Sequence, residues 1–124
     1  MRRTELLARI AFAFSTAIIL WLALSANPPS PLGIFDFDKA NHVLAFLALS
    51  LLLDYAWLDA DGFFKKALPL AGFGLLIEGL QYAGGYRFFE FKDLVADAIG
   101  IALYAATRVR ARRTLDPICK RVIG

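Results

Sequence analysis

Three short polar patterns interrupt otherwise apolar stretches of this 124-residue chain: Asp38-Lys39-x-x-His42, Glu78-x-x-Gln81 and Asp93-x-x-x-Asp97, with Arg87 between the last two. Carboxylates and an imidazole can move protons or hold a divalent ion. Lys39 and Arg87 suit phosphate or carboxylate groups. The spacings are helical. Asp93, Asp97, Gly100 and Tyr104 follow i, i+4, i+7, i+11 and share one face. Asp38, His42, Ala45 and Leu49 align likewise, as do Ala67, Ala71, Gly74, Glu78 and Gln81. Ala71, Gly74 and Gly100 are expected at helix contacts, because small residues let backbones approach closely in lipid. No H-E-x-x-H, nucleophile-elbow or phosphate-loop motif is present. No catalytic residue, metal ligand or cofactor is therefore assigned.

The elements that carry these groups are strongly apolar. Hydrophobic residues make up 59% of the chain and charged residues 20%, with a mean hydropathy of +0.58. That composition excludes a disordered tail, a fibrous repeat and a disulfide-stapled module. Cys119 is the single cysteine, so no internal disulfide can form. Four apolar runs cover 6–26, 40–58, 67–83 and 94–107, and none alternates with period two. Crossing the hydrocarbon core takes roughly 20 helical residues. With their flanks, the runs predict spans over about 6–26, 40–58, 64–83 and 92–108, then a basic tail over 109–124. The Pro-rich stretch 27–33 and the Gly-containing stretches 59–62 and 83–86 are turns. The fold expected is all-α, one polytopic four-transmembrane-helix bundle.

Charge sets the orientation, because loops on the cytoplasmic side carry excess Lys and Arg. With both termini inside, that side holds Arg2, Arg3, Arg9, Lys65, Lys66, Arg108, Arg110, Arg112, Arg113, Lys120 and Arg121. The outer side holds only Lys39, Arg87 and Lys92. The expected location is the inner (cytoplasmic) membrane, multi-pass. A basic tail directly after a span suits anionic headgroups better than nucleic acid. The weaker alternative for the first run is a cleaved signal peptide, but the run is long and Leu24 is large for its position. Cleavage would leave the other spans in the same orientation.

This topology brings Asp38, Lys39, His42, Glu78, Gln81, Arg87, Asp93 and Asp97 to one level beneath the outer surface. Burying such groups in a span is costly, so they mark a site. Asp54 lies near the inner end and is expected to meet Lys65, Lys66 or water. Trp21, Trp57, Tyr82, Tyr86, Phe88, Phe89 and Phe91 fall at span ends, where aromatic rings favour the interface. The tail is expected to lie on the inner surface as a basic amphipathic segment. Asp116-Pro117 is expected to interrupt any helix there.

Taken together, Asp38-Lys39-x-x-His42, Glu78-x-x-Gln81, Arg87 and Asp93-x-x-x-Asp97-x-x-Gly100 resemble the VanZ-like membrane protein family, over about residues 36–107. In that family the last motif often reads Asp-x-x-x-Asn-x-x-Gly, and here Asp97 stands at the Asn position. The resemblance implies a link to glycopeptide (teicoplanin) resistance and supplies no reaction. Three readings stay open. The cluster binds a polar envelope ligand: a cell-wall precursor, a lipid headgroup or the glycopeptide. It belongs to a membrane-embedded hydrolase of a lipid-linked phosphate, or it is a helix-packing cluster without chemistry. A monomeric channel is disfavoured, because the lower stripes are small and apolar. The lipid bilayer is the expected partner, and oligomeric state is not set by the sequence.

Overall fold

The structure, a computed structural model, describes residues 3–24, 38–58, 62–84 and 91–123. These form four helices: α1 (Arg3–Leu24), α2 (Asp38–Ala56), α3 (Phe64–Ala83) and α4 (Phe91–Val122). Among the described residues there is no strand. The apolar runs become helices because nothing inside them competes strongly with the i→i−4 ladder. Breakers fall mostly between them, and Gly62 takes φ 71° in the turn from α2 to α3, a left-handed conformation that glycine adopts without a Cβ clash. Pro69 lies inside α3.

The helices run up, down, up, down. Gln81 Nε2 donates to the Ala23 carbonyl at 2.8 Å, which joins the ends of α3 and α1. At the opposite end Arg9 Nε donates to the Ala56 carbonyl at 2.8 Å. The Leu58 amide donates there to Glu5 Oε2 at 3.3 Å. α2 is central and packs most extensively on α4 and α1. Phe46, Leu49, Leu70, Ile77, Ile101 and Tyr104 fill the space between α2, α3 and α4.

Two contacts explain why α2, α3 and α4 approach so closely. A Cβ on Gly100 would overlap the Val43 carbonyl oxygen and lie 3.1 Å from the Leu47 amide. A Cβ on Gly74 would lie 2.6 Å from Asp97 Oδ2. Both positions need the missing side chain, one to admit backbone and the other to admit a carboxylate. Ala71 differs: it is exposed, one position around from the buried Leu70. The inward stripe of α3 therefore runs through Lys66, Leu70, Gly74, Ile77, Glu78 and Gln81, and Ala71 does not belong to it.

The tail also departs from expectation. α4 continues through Pro117 to Val122 and is 32 residues long, about 48 Å at 1.5 Å per residue. Asp116-Pro117 does not interrupt it, and the segment does not lie apart as a surface tail. Proline removes one helical hydrogen bond, but Leu115 and Cys119 pack against Ala8, Tyr55 and Ala56. Tyr55 donates its hydroxyl to Asp116 Oδ1 at 2.6 Å. These tertiary contacts offset the local defect.

Among the described residues, α1 is long and apolar enough to cross a membrane, and Ala40–Ala56 is a shorter apolar helical stretch.

Candidate functional site

Ionisable side chains gather at both ends of the bundle. At the first end, α2 begins, α3 finishes and α4 begins. His42 comes from the second turn of α2, Glu78 and Gln81 from the last turns of α3, and Asp93 and Asp97 from the first turns of α4. Their exposure is low enough to exclude bulk solvent: 1% for Glu78, 4% for Gln81, 0% for Asp93 and 3% for Asp97. The helical spacings account for this, because Asp93, Asp97, Gly100 and Tyr104 are all buried on one face of α4.

Inside this cluster His42 Nδ1 lies 2.6 Å from Asp97 Oδ1. An ionised Asp97 accepts only, which places a proton on Nδ1. The contact orients the ring between α2 and α4. Glycine at position 74 gives Asp97 its room, since a methyl there would press on Oδ2. One ligating atom each from His42, Glu78 and Asp93 fall within 4.8 Å of one another. The sequence patterns assigned no metal ligands. Spatially, an imidazole and two carboxylates from three helices do form a set of the kind that holds divalent ions. Gln81 uses its amide nitrogen to tie α3 to α1, and its Oε1 is buried with no hydrogen-bond partner among the described residues.

Asp38 and Lys39 occupy the first turn of α2, at this same end. Arg87 lies outside the described residues, as do Tyr86, Phe88 and Phe89. Trp21, Trp57, Tyr82 and Phe91 are exposed near helix ends.

The second end centres on Asp54, which is fully buried. Lys66 Nζ reaches its Oδ1 at 2.8 Å and its backbone carbonyl at 3.0 Å. Tyr104 donates its hydroxyl to Oδ2 at 2.6 Å. Arg108 donates Nε to Oδ2 at 2.8 Å and a second nitrogen to Oδ1 at 3.1 Å, the bidentate geometry that favours arginine over lysine. Arg112 stands 3.7 Å from Oδ2. It also donates Nε to Asp116 Oδ1 at 3.3 Å, and its guanidinium lies 5.0 Å from the Tyr55 ring centre. Burial disfavours the Arg112 charge, but Asp116 and Asp54 outweigh it and hold the guanidinium pKa above its ordinary value.

Lys66 was among the partners expected for Asp54. Tyr104, Arg108 and Arg112 were not, although the signal was present. They follow i, i+4, i+8, so they share the α4 face that meets Asp54. Tyr55 with Asp116 had no such signal, because their contact depends on α4 continuing past its apolar run.

A family model described as VanZ/LLP1 matches residues 3–109, which takes in all of α1, the His42 cluster and Asp54 with Lys66, Tyr104 and Arg108, but not Arg112 or Asp116. Comparison with curated proteins finds no match. Comparison with solved structures finds none either.

Proposed function

The chain belongs to the VanZ/LLP1 family, and from that premise we propose a multi-pass membrane protein whose first polar cluster binds a polar envelope ligand at the outer face. The observation that carries this is an inverted distribution of side chains. Glu5, Asp54, Lys66, Glu78, Gln81, Asp93 and Asp97 are buried, while Leu6, Phe14, Leu44, Leu68, Leu75 and Leu103, from all four helices, are exposed. In water that arrangement would expose apolar surface at a cost of roughly 25 cal/mol per Å². In lipid it is the favourable one, because polar groups turn inward and pair. The excess of Lys and Arg at the Asp54 end points that end inward. The His42 end then opens outward, and both termini are cytoplasmic.

In this reading Glu78, Asp93 and Asp97 accept hydrogen bonds from hydroxyl or ammonium groups, and His42 is held in register by Asp97. Lys39 and Arg87 supply positive charge for a phosphate or carboxylate. Suitable ligands are a cell-wall precursor, a lipid headgroup or a glycopeptide, with a consequence for teicoplanin susceptibility. The test replaces Glu78, Arg87 and Asp93 singly with Gln, Gln and Asn in a strain lacking the native gene. Expression is confirmed by blot, and teicoplanin susceptibility is compared with wild type and empty vector. Wild type is expected to raise the tolerated dose and the variants to lose that gain. Equal doses across all strains would overturn the resistance role.

A second reading is favoured by the convergence of His42, Glu78 and Asp93 ligand atoms within 4.8 Å. A divalent ion held there would activate water against a lipid-linked phosphate. Elemental analysis of purified protein decides it. One ion per chain, lost in Glu78→Gln, supports the hydrolase; no stoichiometric metal removes it.

A further inference from the structure

Away from the polar cluster, a cleft of ≈ 610 Å³ opens between α1, α2 and α3, near the Asp54 end. Its walls are apolar: Phe12 from α1, Leu53 from α2, Trp57 just past the end of α2, and Pro69 and Phe73 from α3. Lys65 and Lys66 stand at one end of it, in the first turn of α3. Lys66 is committed inward, since its Nζ is shared between the Asp54 carboxylate and carbonyl and it is 6% exposed. Lys65 is exposed. On the other side of the same end, the Arg9 guanidinium lies 4.4 Å from the Trp57 ring centre. Among the described lining residues, the cleft is an apolar trough with Lys65 and Lys66 at one mouth.

We propose that this cleft seats one acyl chain of an anionic phospholipid of the inner leaflet, with the phosphate at Lys65. The inference rests on the membrane embedding proposed above. Three observations select this occupant. The size falls within the 300–1,000 Å³ typical of small-ligand sites. From Lys65 to Phe73 the trough runs eight residues, about 12 Å, which stays within one leaflet of a hydrocarbon core of about 30 Å. The charge is complementary: a zwitterionic headgroup gains little from the exposed Lys65, whereas an anionic one is drawn by each Lys or Arg near the surface.

The test reconstitutes the full-length protein in nanodiscs of phosphatidylglycerol and phosphatidylcholine at equal mole fraction. Lipids that remain bound on release are identified by native mass spectrometry. Wild type is expected to retain one phosphatidylglycerol in preference to phosphatidylcholine. Lys65→Glu is expected to lower that preference by about five-fold or more, taking each basic group at its usual worth near a surface. Thr16→Phe, which puts a ring into the cleft without changing charge, is expected to abolish retention of either lipid. Lys92→Glu, exposed in the first turn of α4 at the opposite end of the bundle, is expected to change nothing. Equal retention of the two lipids by wild type, or a preference untouched by Lys65→Glu, would overturn the proposal. Carbonate washing separates its failure from that of the embedding. Protein released by the wash contradicts both, whereas protein that stays with the membrane but shows no lipid preference contradicts the seat alone.

Discussion

At the residue scale, Asp54 ties α2 to α3 and α4 through a buried carboxylate, and its replacement should be informative. Lys66, Tyr104 and Arg108 all donate to it inside the bundle. Removing the carboxylate leaves a buried lysine without its counter-ion, and breaking such a pair costs about 3–5 kcal/mol. Tyr104→Phe removes only one hydroxyl donor and should cost about 1–2 kcal/mol. Thermal or denaturant unfolding of the purified protein should therefore rank Asp54→Ala well below Tyr104→Phe, and both below wild type. Equal stability of all three would show that the network does not hold the helices. Gly74→Ala tests the other centre. Its methyl would crowd Asp97 Oδ2, so the His42–Asp97 contact should be lost with little change in overall helicity. The imidazole resonances of the single histidine would report that directly. An unchanged spectrum would mean that α3 and α4 can part without disturbing the pair.

At the scale of elements, the apolar runs located the four helices, and α3 begins and ends where its flanks had suggested. The reasons are local: helical periodicity and breakers act over a few residues. The fate of 109–122 was not legible, because it depends on what lies across from it. Read alone, Asp116-Pro117 ends a helix. In the bundle, Tyr55 holds Asp116 and the helix continues. Ala71 was misplaced for a similar reason. Small residues recur on two neighbouring faces of α3, and only the position of Asp97 shows which of them meets α4. Tyr55→Phe together with Asp116→Asn should undock the distal part of α4. Limited trypsin digestion should then cut faster at Arg110, Arg112 and Arg113, while the residues before Arg108 stay protected. Unchanged cleavage rates would show that Leu115 and Cys119 packing suffices.

At the scale of the whole molecule, the polar patterns do not say which of their residues touch. His42 with Asp97 follows from the register of α2 against α4, which the overlap at Gly100 fixes and which no single-helix pattern contains. The proposed orientation rests on where Lys and Arg fall. It predicts that a C-terminal fluorescent fusion is bright, and that alkaline phosphatase fused after residue 31 or 88 is active while one fused after residue 61 is silent. The reverse pattern would place the His42 cluster on the cytoplasmic side. The claim that matters most is that this cluster is a binding site. The direct measurement is titration of the nanodisc-embedded protein with a polyprenyl-linked cell-wall precursor, beside Glu78→Gln and Asp93→Asn. Saturable one-to-one binding, weakened about tenfold or more in each variant as expected for losing a charged hydrogen-bond partner, is the predicted result. Binding by wild type no stronger than by the two variants would contradict it.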